Sequence, residues 1–91
     1  MSKLEKILEK EGEIGIELEQ NERKKFLRWA KANGMKWFSG REIKKSEECY
    51  FHMSIGKDKT IGNISAMCWV VGSRPVCRMT FAEFLKTIDV V

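Results

Sequence analysis

The sequence predicts a single small α+β domain over residues 1–91, with an antiparallel sheet of three to five strands and two or three helices. Three observations lead there. Apolar residues recur at helical spacing near both ends of the chain and again over 22–33; two-residue alternation appears over 13–19 and 49–55; and no linker, repeat or low-complexity tract separates them. Ninety-one residues are enough for one modest core, because a chain this short buries only about 60 to 65 % of the surface its unfolded form exposes.

Leu4, Ile7 and Leu8 fall on one side of a helix over 2–11, with Ser2 and Glu5 as its capping box and Gly12 at its end. Ile14, Ile16 and Leu18 then alternate with Glu13, Gly15, Glu17 and Glu19, the pattern of a half-buried strand with an acidic outer face. Asn21 is placed to accept from the first amides of a second helix over 22–33, and Asn33-Gly34 offers its left-handed stop. Phe26, Leu27 and Ala30 mark the buried stripe of that helix, with Trp29 on its border.

Residues 35–38 read as a short strand, Gly40 as a turn and 41–48 as a polar loop. In the next strand Phe51, Met53 and Ile55 share one face and Tyr50, His52 and Ser54 the other. Gly56-Lys57-Asp58-Lys59 connects it, as a hairpin, to a strand running from Thr60 towards Val71 with a bulge at Gly62. The end of that strand, Met67 to Val71, is apolar on both faces. Double-sided burial then calls for cover from the first helix or from another subunit, so a homodimer is among the expectations. After a turn at 72–75 and a strand at 76–79, Thr80 and Glu83 form a capping box for a final helix buried through Phe81, Phe84, Leu85 and Ile88.

Charge is divided sharply along the chain. Residues 1–22 carry three lysines and seven glutamates, whereas 23–45 carry nine cations against the single acid Glu42. On the second helix Lys24, Arg28 and Lys31 follow one another at i, i+4 and i+7 as a continuous basic edge. Trp37 follows the helix stop, and Arg41, Lys44 and Lys45 lie in the polar loop where recognition residues tend to sit. Arg74 and Arg78 flank the last turn with guanidiniums suited to phosphate or carboxylate. These nine residues are the expected ligand-binding set, and an anionic ligand or effector protein the expected partner, with nucleic acid as an alternative. Two bland readings compete: a solvated helix face, and neutralisation of 23–45 by the acidic segment of the same chain.

Catalytic chemistry has little to work with. Cys49, His52, Cys68 and Cys77 supply the ligand types of a zinc centre, but Cys49 and His52 would point to opposite faces of one strand and no Cys-x-x-Cys pair is present. His52 is the sole histidine, and a small hydrolase built on it is the remaining enzymatic alternative. No Gly-rich phosphate loop, HExxH or paired-carboxylate spacing occurs. The expectation is a binding protein, not an enzyme, with no cofactor and no metal. The longest apolar run falls far short of the roughly 20 residues that span a bilayer, and an odd count of three cysteines argues for free thiols, so a cytoplasmic location without membrane contact is expected.

The stretch Phe26 to Gly40, F-L-R-W-A-K-A-N-G-M-K-W-F-S-G, resembles a pattern in small uncharacterised phage and prophage proteins of Gram-positive bacteria, in which a helix ends at Gly and a K-W-x-x-G strand follows. The similarity continues loosely through Cys49 to Ser54 and Met67 to Trp69, about half of the chain. It implies a short accessory gene product acting in the bacterial cytoplasm, in a group that includes antagonists of host defence, and it assigns no residue a role. The basic segment speaks against DNA mimicry and for an anionic partner.

Overall fold

A computed structural model describes residues 3–44, 48–72, 75 and 77–88. Nine elements follow in order: α1 (Lys3–Glu11), β1 (Glu13–Glu17), α2 (Arg23–Ala32), β2 (Lys36–Trp37), β3 (His52–Gly56), β4 (Thr60–Ile64), α3 (Ala66–Val71), β5 (Cys77–Thr80) and α4 (Phe81–Ile88). The α+β class holds, with four helices among the described residues in place of the two or three expected, and the expected antiparallel sheet is corrected: the strands form one mixed sheet in the order β2-β4-β3-β1-β5. β3 pairs antiparallel with β1 and β4, while β5 runs parallel to β1 and β2 parallel to β4. The parallel pairs arise because α2 and α3 each return the chain to the end of the sheet from which it started, as any parallel connection must.

Alternation along the strands divides the sheet into two faces. Trp37, Ile61, Ile55 and Ile14 occupy one cross-strand row of the core face, and Met53 and Ile16 the next. All six are buried, with Leu4 and Leu8 of α1, Phe26, Leu27 and Ala30 of α2, and Phe81 and Phe84 of α4 packed in the same cluster. Phe84 is its hub. Its ring meets Trp29 edge-on at 4.7 Å and Phe26 at 5.9 Å, and such aromatic pairs contribute about 0.5–1.5 kcal/mol each beyond the area they bury.

Local signals set the helix ends. Thr80 and Glu83 form the expected capping box, the Glu83 carboxylate accepting from the Thr80 amide at 3.0 Å and the Thr80 hydroxyl accepting from the Glu83 amide at 3.2 Å. The Thr80 donors hold the Glu83 carboxyl below the usual carboxylate range. α2 stops where Gly34 turns to φ +73°, a conformation that costs a glycine nothing. Its start differs from expectation: Glu22, not Asn21, occupies the N-cap position without a side-chain cap bond, and the Glu22 carboxylate accepts from the Glu19 amide instead. The box expected at Ser2 lies outside the described residues.

The largest local correction is at Ala66–Val71, expected as strand and found as α3. Ser65 caps it, its hydroxyl accepting from the Cys68 amide at 3.1 Å. No residue of α3 is buried, so the two-sided burial expected of Met67 to Val71 does not occur. The bulge expected at Gly62 is also absent, since β3 and β4 pair in unbroken register through Ser54 and Gly62.

Candidate functional site

The basic edge of α2 is laid out by the helix itself. Phe26, Leu27 and Ala30 turn inwards, which leaves Lys24, Arg28 and Lys31 exposed along one side. Among the described residues no carboxylate forms an ion pair with these three. Arg23, the residue before Lys24, serves the fold: its Nη1 donates to the Cys49 carbonyl at 2.8 Å, and its guanidinium lies 4.5 Å from the centroid of the Phe51 ring. That pair of contacts ties the start of α2 to the strand segment leading into β3.

Trp37 is not an available stacking platform. It is 6 % exposed and belongs to the core, with the Arg41 guanidinium over its ring at 5.8 Å. Arg41 and Lys44 are exposed on the loop after β2, on either side of the buried Ile43. Lys45 and Arg74 lie outside the described residues.

Arg78 belongs to the other side of the molecule and is already engaged. On β5 it faces away from the core, in one row with Gly15, Ser54 and Gly62. Its guanidinium donates to the carbonyls of Pro75 at 2.9 Å, Gly72 at 3.1 Å and Trp69. It also covers the Trp69 ring at 4.4 Å, and His52 stacks on the same indole at 4.6 Å. The predicted set is therefore split: Lys24, Arg28 and Lys31 share the outer side of the helix layer, while Arg78 clamps α3 to the opposite face of the sheet.

No local pattern in the sequence specifies that clamp. Gly15 makes it fit: a Cβ there would stand 2.4 Å from the Pro75 ring and 2.7 Å from the Trp69 indole, so only glycine lets the tryptophan lie against the strand. The signal was present as a glycine interrupting an otherwise branched strand, Ile14-Gly15-Ile16, but sequence alone does not say which ring it admits.

His52 is half-buried between Trp69 and Glu17, its Nε2 3.6 Å from the Glu17 carboxylate. Cys49 is buried, and that burial pushes its thiol up to about 11 against the opposing pull of the Arg23 guanidinium. Burial raises Cys77 as well, and the Glu11 carboxylate adds to the effect. Both groups therefore stay thiols at neutral pH, and it is the thiolate that attacks or ligates. Among the described residues no group of three or more His, Cys, Asp or Glu side chains is arranged to hold a metal ion, and no helix is long and apolar enough to cross a membrane. Comparison with protein-family models, with curated proteins and with solved structures finds no match to this chain.

Proposed function

We propose that the chain is a non-enzymatic accessory binding protein of the phage type its sequence resembles, a host-defence antagonist that engages an anionic ligand or an acidic face of an effector protein. One observation carries the reading. Lys24, Arg28 and Lys31 stand exposed in a line on α2, with no ion pair to a described carboxylate. Unneutralised cations on a packed helix present fixed positive potential at no further ordering cost to the backbone.

The nucleic-acid alternative is less well supported. The two tryptophans expected to stack on unpaired bases are not available for it, since Trp37 is buried and Trp29 is packed against Phe84, which leaves only the exposed Phe51 beside Arg23 at the start of the basic helix. Nucleotide phosphates or protein carboxylates need only the charges.

Thermal shift against a panel of nucleotides and cyclic nucleotides tests the proposal. A ligand at 100 times its dissociation constant adds about 2.7 kcal/mol of stability, on the order of 10–20 °C for a domain of this size. The shift is expected for the natural chain and lost in the triple variant K24E/R28E/K31E, which itself melts unchanged because these are surface positions. No shift with any member, together with no acidic protein retained by the natural chain and released by the variant, overturns the reading.

A further inference from the structure

The three cations of the α2 edge, Lys24, Arg28 and Lys31, follow one another at intervals of four and then three residues. At helical rise and twist they stand about 6 and about 4.5 Å apart along the axis, within an arc of about 60° around it. Lys25 and Ala32 are exposed to one side of this line, while Leu27 and Ala30 are buried on the other. The edge is therefore convex, straight and positive, and it carries no large apolar side chain. The acidic residues of β1 do not lie on this side. Glu13 and Glu17 share the alternate face of that strand with Gly15, opposite to the buried Ile14 and Ile16 that meet the helix layer.

A free nucleotide is a poor fit to such an edge. Small ligands are held in concave sites, and the cavity at the start of α2, lined by Gln20, Arg23, Lys24, Leu27 and Glu48, takes in Lys24 but neither Arg28 nor Lys31 and contains a carboxylate. An extended acidic chain fits no better. Carboxylates on one side of a strand recur at about 6.6 Å, so two such steps overrun the distance of about 10.5 Å along the axis from Lys24 to Lys31. A second helix has the same rise as the first. Given that this edge is the binding surface, as proposed above, we propose that its partner is an acidic α-helix of another protein, lying alongside α2. Its carboxylates recur at i, i+3 and i+7 if it runs antiparallel to α2, or at i, i+4 and i+7 if parallel, and either spacing brings one carboxylate level with each cation. Charge pairs between neighbouring helices set partner choice and orientation. With no large apolar side chain on the edge the attraction is by charge, so the complex is weak and sensitive to salt.

Titration of the isotope-labelled full chain, followed by NMR, tests the partner. The probe is an alanine- and glutamine-based peptide of about 20 residues, long enough to be helical alone, with glutamates at i, i+4, i+7 and i+11, which presents both spacings. At about 20 mM salt the amides around Lys24, Arg28 and Lys31 are expected to shift with a dissociation constant of about 1 mM or lower, weakened at least about threefold at about 150 mM salt. Two controls, one helix with the same glutamates spread around it and one unfolded glycine-serine chain carrying them, are each expected to bind at least about fivefold more weakly. The variant K24E/R28E/K31E is expected to lose the acidic peptide and to bind one with lysines in place of the four glutamates. If far-UV circular dichroism shows that variant misfolded, K24Q/R28Q/K31Q replaces it, with binding of the acidic peptide weakened at least about tenfold. Equal binding of the probe and either control overturns the proposal, as does binding that persists in the variants. A probe that does not bind overturns it too; the function proposed above then stands where a nucleotide or an acidic protein still requires the three cations, and falls with it where none does.

Discussion

On the core face of the sheet Ile14, Ile16, Met53, Ile55 and Ile61 are buried beneath α1, α2 and α4, whereas the alternate positions of the same strands bring Gly15, Ser54, Gly56 and Gly62 together with polar residues such as Glu17, His52 and Thr60. The first face gains its energy from side-chain volume. The second offers little of it at Gly15, and it holds α3 by letting the edge of the Trp69 indole reach the backbone there, with the ring held by His52 and Arg78. Stability and adjustable surface are thus separated by strand alternation alone: residues two apart share a role, and neighbours do not.

The comparison breaks most severely if the core face proves tolerant. Phe84 has no exposure and joins three aromatic rings into one cluster, so Phe84→Ala is expected to cost about 3–5 kcal/mol by cavity formation and lost transfer energy. Denaturant titration measures it. For a chain of this size such a loss approaches the whole stability, and a cost under about 1 kcal/mol would show that the helix layer does not depend on its aromatic hub.

Gly15→Ala is expected to have an intermediate effect on the other face. Its Cβ would fall within 2.7 Å of both Pro75 and Trp69, far inside van der Waals contact, so α3 must move or the strand must bend. Overpacking of this kind costs about 1–3 kcal/mol. Near-ultraviolet circular dichroism should lose the asymmetry of Trp69 while the far-ultraviolet signal of the sheet persists. An unchanged near-ultraviolet spectrum would mean that Trp69 does not rest on Gly15.

The same contrast explains what the sequence made legible. The core face announces itself locally, because alternation in Glu13–Glu17 and His52–Gly56, the stripe of Phe26, Leu27 and Ala30, and the Thr80-Glu83 box each depend only on neighbours in the chain. Mixed pairing does not, since whether β5 joins β1 parallel is decided by the path of α3 over the sheet. The sequence Ala66–Val71 misleads for a physical reason: its β-branched and aromatic residues favour a strand, but Ser65 caps a helix there and β4 ends at Ile64. Of the predicted site, the edge Lys24, Arg28, Lys31 follows from helical spacing and is exposed. Trp37 and Arg78 could not be placed, because burial and occupied donors are properties of the assembled fold.

The smallest effect separates a clamp from a binding residue. Arg78 donates to three carbonyls, Pro75, Gly72 and Trp69, near the end of α3, and covers the Trp69 ring. The bonds to Trp69 and Gly72 are exposed and only the one to Pro75 is part-buried, so water replaces most of what Arg78→Gln removes, and the global cost is expected to be only about 1 kcal/mol. The change should instead be local. The Trp69 amide bonds to the Ser65 carbonyl at 2.9 Å and the Gly72 amide to the Cys68 carbonyl at 2.8 Å; both are expected to exchange with solvent at least about tenfold faster in the variant, while amides of β1 and β3 keep their protection. Equal acceleration in all of these elements would make Arg78 a part of the global fold. No acceleration at either α3 amide would mean that the guanidinium does not hold the helix down, and would return Arg78 to the set of cations available for a ligand.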